Sequence, residues 1–211
     1  MGGGHGAAAD AASAPRHLVV VSGHPGSGKT TVARQLAAGL GWPLVSRDDF
    51  KELLFDHLGL GDRAWSQKLG GLSYDLMDRV LGLLLATGCG VVAETNFGTQ
   101  ASLSLGALAH RMHYRVLEVC CTAPAPQLVA RFAGRAQSGA RHPGHQDTDN
   151  LAEQAARVAV PYQPVGAGPV LWLETTDLPE VVYRRAREWV GAQVLGQPAP
   201  AGGGERPRRL Y

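Results

Sequence analysis

Apolar positions along the chain fall into two alternating rhythms. Short unbroken runs such as Leu18-Val19-Val20-Val21 and Val91-Val92-Ala93 have the length and β-branched content of strands buried on both faces. Between such runs, apolar residues return every three or four positions, as on one side of a helix. Val32, Leu36 and Leu40 form one such stripe with Ala33 and Ala37 beside them; Leu72, Leu76, Val80 and Leu84 form another, with Asp75 and Asp78 off it. The pattern predicts strands over 17–22, 43–46, 90–94, 114–121 and 170–174, and helices near 29–40, 48–58, 65–87, 99–112 and 124–137. Gly88 ends the longest helix. Asp177, with Pro179 and Glu180 behind it, has the spacing of a capping box and opens a final helix. Strands alternating with helices point to an α/β domain over 16–195, with a parallel sheet covered on both faces.

One stretch departs from both rhythms. Residues 134–150 hold Arg135, Arg141, His142, Pro143, Gly144, His145 and Asp147 and little to bury. A polar segment of this length inside a compact domain usually serves function, and its place after the fourth strand suggests a mobile lid. The Gly- and Ala-rich residues 1–15 read as a disordered leader without the apolar centre of a secretion signal, and 196–211 as a disordered tail.

Between the first strand and the first helix stands Gly23-His24-Pro25-Gly26-Ser27-Gly28-Lys29-Thr30, an uninterrupted G-x-x-x-x-G-K-[ST] phosphate-binding loop. Its glycines let backbone N–H groups turn inward around a phosphate chain, its lysine reaches the outer phosphates, and its hydroxyl ligates Mg²⁺. Strand before and helix after are the context this motif requires. The loop with Thr31 is therefore the expected binding site for ATP or GTP, with Mg²⁺ as companion ion.

What happens to the nucleotide depends on residues at the carboxyl ends of the neighbouring strands, where ligands of open α/β sheets bind. The second strand runs into Arg47-Asp48-Asp49-Phe50-Lys51. Ser46 and Asp49 have capping-box spacing, which leaves Asp48 free to orient or deprotonate a hydroxyl acceptor. Asp49 and Lys51 join it as candidate acceptor contacts. The third strand ends in Glu94-Thr95-Asn96. Glu94 is placed to organise Mg²⁺ with Thr30, and also borders the acceptor; Asn96 either contacts phosphate or acceptor, or caps the next helix. Arg131 and Arg135 project from one side of the fifth helix, each about 60° from the apolar stripe of Leu128 and Phe132. They are candidates for the nucleotide's phosphates, with Arg135 as the catalytic arginine beside Lys29 and Asp48. His142 is a candidate acceptor contact from the lid.

Composition narrows the partners. Hydrophobic residues make up 45% of the 211, too many for a disordered chain. A net charge of +2 and 6% aromatic residues argue against nucleic acid, which wants a basic channel and stacking side chains. No run is long enough to cross a bilayer, and three cysteines without C-x-x-C spacing suit a reduced cytoplasm. A hydroxyl-bearing small molecule is the acceptor expected at Asp48; the spacing says nothing of oligomeric state.

The order phosphate loop, Arg47-Asp48-Asp49-Phe50, Glu94-Thr95-Asn96, then Arg131 and Arg135 resembles the kinase domain of bacteriophage polynucleotide kinase. It is similar also to the small P-loop phosphotransferases related to it, among them chloramphenicol phosphotransferase, the zeta-toxin kinases and antibiotic-resistance kinases. The resemblance implies a P-loop NTPase of nucleotide-kinase type, with a five-stranded parallel sheet in the order 2-3-1-4-5, helices on both faces and a lid. It implies transfer of the γ-phosphate to an antibiotic or nucleoside-like alcohol, with Asp48 activating the acceptor and Arg135 steadying the transferred group. The chain departs from the phage pattern in Glu94, where that pattern has Asp, in Lys51, where it has Arg, and in the histidine-bearing lid. A 5′-hydroxyl polynucleotide kinase is the nearest alternative. An ATPase switch without an acceptor is the alternative from another class; it would release phosphate at a rate no alcohol stimulates.

Overall fold

Each apolar run becomes a strand of one parallel sheet. The computed structural model describes residues 16–96, 98–139, 141–146 and 151–198. Strands β1 (Arg16–Ser22), β2 (Leu44–Ser46), β3 (Val91–Glu94), β4 (Tyr114–Thr122) and β5 (Val170–Glu174) pair in the order β2-β3-β1-β4-β5. That is the order the resemblance implied, and all four pairings are parallel.

The two faces of the sheet are sorted by alternation along β1. Val19 and Val21 point into one core layer with Val32, Leu36, Leu173 and Trp189, covered by α1 (Lys29–Leu40) and α7 (Pro179–Val194). Leu18 and Val20 point into the other with Met77, Leu81, Leu85 and Leu105, covered by α3 (Arg63–Ala86) and α4 (Thr99–Arg111). Helix α2 (Arg47–Leu58) packs on α3 beyond the sheet's carboxyl edge. Helix α5 (Ala125–Ser138), a 3₁₀ turn over Pro143–His145 and helix α6 (Leu151–Val158) follow β4. The expected leader and all but residues 196–198 of the expected tail lie outside the described residues.

Three expectations are corrected. The buried row of α3 is Leu69, Ser73, Met77, Leu81 and Leu85, whereas Leu72 and Leu76 are 41% and 39% exposed. The helix carries two adjacent apolar rows, and the row with the small residues Gly70 and Ser73 won because it lets α2 approach. Asp177 makes no cap: Leu178 holds the capping position of α7, Pro179 is the first residue inside it, and Asp177 pairs with Arg185 at 3.7 Å. Pro179 brings no N–H there that needs a cap. The expected lid is also more regular than its composition suggested: α5 runs on to Ser138, and a 3₁₀ turn follows over Pro143–His145. Beyond it the sequence missed α6, which has eight residues and buries only Val158, too little for periodicity to show.

Candidate functional site

Parallel register brings the site together. Ser46 stands opposite Glu94 in the β2–β3 pairing, and Glu94 opposite Val21, one residue before the end of β1, in the β3–β1 pairing, so the carboxyl ends of three strands reach one edge side by side. The phosphate loop leaves β1 at that edge. Its turn is drawn tight by a bond from Ser27 N–H to the His24 carbonyl at 3.1 Å. Gly26 has φ +83°, and a Cβ on it would lie 2.6 Å from the Leu128 carbonyl oxygen; at Gly23 a Cβ would lie 2.3 Å from the Cys121 carbonyl oxygen. Neither position has room for a side chain, so the loop lies flush on β4 and α5.

Lys29 is 8% exposed, with no carboxylate within 4.0 Å of its ammonium among the described residues. Burial lowers its pKa, against the pull of Glu94 and Asp48, and Arg141 and Arg135 lower it further. Glu94 is 2% exposed, not the solvated end of a strand. Its two oxygens accept from Ser46 Oγ at 2.7 Å and from Thr30 Oγ1 at 3.2 Å. The hydroxyl of the loop and the strand-end acid thus meet, as a Mg²⁺ site bridging nucleotide and protein requires. No cluster of three acidic, histidine or cysteine side chains able to hold a metal by itself exists among the described residues. Two protein groups suit Mg²⁺, which takes its other ligands from phosphates and water.

Ser46 therefore does not cap α2. It occupies the capping position, but no N–H of α2 bonds to its side chain, whose hydroxyl is turned to donate to the buried Glu94 carboxylate. Asp48 faces the cleft below the lid, whereas Asp49, expected beside it as an acceptor contact, is exposed and does not border the cleft, because it lies on the outer side of α2. Asp48 Oδ2 accepts from Arg141 Nη2 at 2.7 Å and Oδ1 from Arg47 Nη1 at 3.4 Å. Burial alone would raise the Asp48 pKa, but Arg141, His145, Lys29 and Arg47 outweigh it and hold the carboxyl at about 2.

The lid docks along one face of α2. Asp48, Glu52, Phe55 and Asp56 follow each other at helical spacing and receive Arg141, His145 and His142. His145 accepts from Arg141 at Nδ1 (3.0 Å), and its Nε2–H donates to Glu52 (2.8 Å), which defines a neutral tautomer. Burial and then Arg141 push the His145 pKa down to about 3. His142 Nε2 bonds to Asp56 at 3.1 Å, and its ring stacks on Phe55 with centroids 5.5 Å apart. The histidine that borders the cleft is His145; His142, expected there, holds the lid from the outside. His142 precedes the 3₁₀ turn as its cap: its Nδ1 is taken by the Gly144 N–H and its Nε2 by Asp56, which keeps the ring off the cleft.

The two arginines of α5 also part company. Arg131 donates to the Thr175 carbonyl at 2.8 Å and to Thr175 Oγ1 at 3.1 Å, beside a groove of ≈ 200 Å³ that Thr31, Val32 and Gln35 also line. Arg135 lies half-buried over the Phe132 ring at 5.4 Å, close enough to weigh on Lys29. Arg141, to which the sequence gave no role beyond the lid, is the guanidinium that bonds most closely to Asp48. Asn96 does not cap α4, whose first turn starts from Gly98. Its carbonyl accepts from Tyr74 Oη at 3.2 Å, on the wall between the cleft under the lid and a second, wider groove.

A family model described as an AAA domain matches residues 18–161. The chain belongs to that family. A candidate kinase from Chloroflexus aurantiacus is 30% identical and superposes with a TM-score of 0.69, covering 82% of this chain and 97% of its own. A sugar kinase from Janibacter (16% identity, TM-score 0.55, 87% and 99% covered) and a gluconokinase from Sinorhizobium meliloti (15%, 0.54, 87% and 95%) share the fold. Uncharacterised proteins of Mycobacterium tuberculosis and Mycobacterium bovis are 28% identical over 71% of this chain. The chain spans about a third (33%) of the length of those curated relatives. Within the AAA domain family, the chain falls in the P-loop kinase-like group that the motif order resembled. No described helix is long and apolar enough to cross a membrane.

Sequence reasoning left three participants of the site in the background. Arg47 was legible only as the neighbour of Asp48; Ser66 and Ser73 looked like ordinary helix positions. They come to the cleft or stand behind its wall because α3 crosses α2 there. Arg47 Nε donates to Ser73 Oγ at 3.1 Å with its guanidinium 4.5 Å from the Tyr74 ring centre, and Lys51 Nζ donates to Ser66 Oγ at 3.1 Å.

Proposed function

We propose that the chain transfers the γ-phosphate of ATP or GTP to a hydroxyl group of a small molecule, antibiotics and nucleoside-like alcohols being the first to try. The observation that carries this reading is Lys29, a buried lysine without a carboxylate within ion-pair distance among the described residues, on one cleft with Asp48. A binding module needs the first of these; only transfer to an acceptor needs both.

In this reading, the groove beside Arg131 and Thr175 takes the nucleoside, and the loop amides with Lys29 hold the phosphates. Mg²⁺ held by Thr30, with Glu94 behind it, would neutralise charge on the phosphate oxygens. The acceptor hydroxyl takes the place of an Arg141 N–H on Asp48. The carboxylate then orients the oxygen for in-line attack and receives its proton late, which suits a weak base because bond making to phosphorus is not advanced in such transition states. Arg141, released from Asp48, and Arg135 supply positive charge for the transferred group.

The experiment is incubation of the full chain with Mg²⁺, ATP or GTP and a panel of hydroxyl compounds, read as a mass gain of one phosphate. Steady phosphate release that no alcohol accelerates would overturn the reading in favour of an ATPase switch. Asp48→Asn is expected to lower kcat about 10²–10⁴-fold while nucleotide affinity stays within about threefold. Lys29→Ala is expected to lose nucleotide binding itself.

A further inference from the structure

A nucleotide does not account for every cation in the cleft. Lys29 belongs to the phosphate loop, Arg141 sits on Asp48, and Arg63 and Arg157 both bind Glu153. Arg47 and Lys51 remain, one turn apart on the same face of α2. Both are nearly dry: Lys51 is 9% exposed and the Arg47 side chain 13%. The Lys51 ammonium has the Ser66 hydroxyl at 3.1 Å and no carboxylate within 4.0 Å among the described residues. Arg47 bonds to the Ser73 hydroxyl and lies over the Tyr74 ring, and its one carboxylate contact among the described residues is a 3.4 Å approach to an Asp48 already taken by Arg141. The two heads converge on Gly70 of α3, where a Cβ would lie 3.0 Å from Arg47 Nη2 and 3.9 Å from Lys51 Nζ.

Two like charges held together away from water repel each other. Burial, then Arg47, pushes the Lys51 pKa down to about 8. The Phe55 ring, 5.4 Å from Lys51 Nζ, offsets part of this cost, but less than a fixed negative charge would. A site of this kind is completed by an anion. Asp48 lies between Arg47 and Lys51 in the sequence and borders the same cleft, so the anion and the reacting hydroxyl are neighbours.

We propose, on the basis of the transfer reaction above, that the acceptor is an alcohol that also carries an anionic group, a phosphate or a carboxylate, a few bonds from the reacting hydroxyl. That group sits between Arg47 and Lys51 in the space left by Gly70. The rest of the molecule extends past Tyr74 and Asn96 into the wider groove, ≈ 840 Å³, walled by Leu103, Pro161 and Tyr162.

The test has two arms. In the first, the full chain is saturated with Mg²⁺ and a non-hydrolysable ATP analogue, so that the loop is filled, and titrated calorimetrically with inorganic phosphate and separately with glycerate. One of the two is expected to bind; which one tells phosphate from carboxylate. Lys51→Met is expected to weaken it at least about tenfold. Gly70→Ala, which favours the helix and leaves melting unchanged or raised, is expected to weaken it as well by filling the gap. Binding of neither anion, or binding indifferent to both substitutions, would overturn the proposal. In the second arm, neutral alcohols are compared with their phosphorylated and carboxylated counterparts as acceptors. The anionic forms are expected to have kcat/KM at least about tenfold higher, an advantage lost through KM in Lys51→Met. Equal use of the neutral forms would overturn it. Anion binding that responds to Lys51→Met without transfer to any alcohol would uphold the anion site and overturn the transfer reaction instead.

Discussion

Glu94 is the residue on which the proposed Mg²⁺ site turns. A carboxylate 2% exposed at a strand end survives only if its oxygens are bonded, and Ser46 supplies the shorter of its two bonds, 2.7 Å. Ser46→Ala removes that donor and leaves a buried oxygen with less compensation. The expected loss is about 1–3 kcal/mol of stability, checked by urea unfolding of the variant against the parent. A serine that merely capped α2 would cost less and would leave Mg²⁺-dependent binding untouched. Glu118 shows the same rule used for construction. It is fully buried in β4 and accepts from Val165 and Ala167 N–H at 2.7 Å each and from Gly168 N–H at 3.2 Å. It thereby ties to the sheet the segment that returns from α6 past His24, whose ring donates to the Val160 carbonyl at 3.0 Å.

At the scale of elements, the lid and α2 are joined by groups that titrate. With the lid undocked, His145 returns toward its ordinary value of 6.5, while docked it lies at about 3. Between these values only the undocked form takes up the proton, so acid favours undocking. Asp48 acts in the same direction. Its attraction to Arg141 is complete above its ordinary 3.8 and fades as pH falls through about 2. Glu52, raised by burial, offsets part of this, because its protonation relieves the cost of burying it in the docked form. Amide exchange over residues 141–146, corrected for its intrinsic pH dependence, is expected to accelerate as pH falls from about 6 towards 3, while β1 stays protected. Protection of the lid that does not change across this interval would show that the His145 contact does not hold it.

For the whole molecule, ligand and stability are linked through the phosphate loop, because the loop is shaped only when β1, β4 and α5 are assembled around it. Nucleotide with Mg²⁺ at a hundred times its Kd is expected to add about 2.7 kcal/mol of stability, or about 5–10 °C in Tm for a chain of this size. Calorimetric scans with ATP and with GTP check this and show which base is preferred. Lys29→Ala is expected to abolish the shift with either nucleotide.

The phosphate loop, the alternation of strands and helices and the order of acids behind the strands were all legible in the chain. Each rests on contacts between near neighbours: a glycine that admits an inward N–H, a β-branched run, a hydroxyl after a lysine. Local chemistry of that kind suffices for the class of fold and for the expectation of a bound nucleotide. The buried row of α3, the partner of Ser46, the choice of His145 over His142 and the meeting of Arg47 and Lys51 at Gly70 depend on which helix lies across which. Packing decides those crossings through small residues such as Gly70, Ser73 and Gly144, whose importance is the space they leave open. A residue's own chemistry predicts what it can bond; only the folded chain brings the partner within reach.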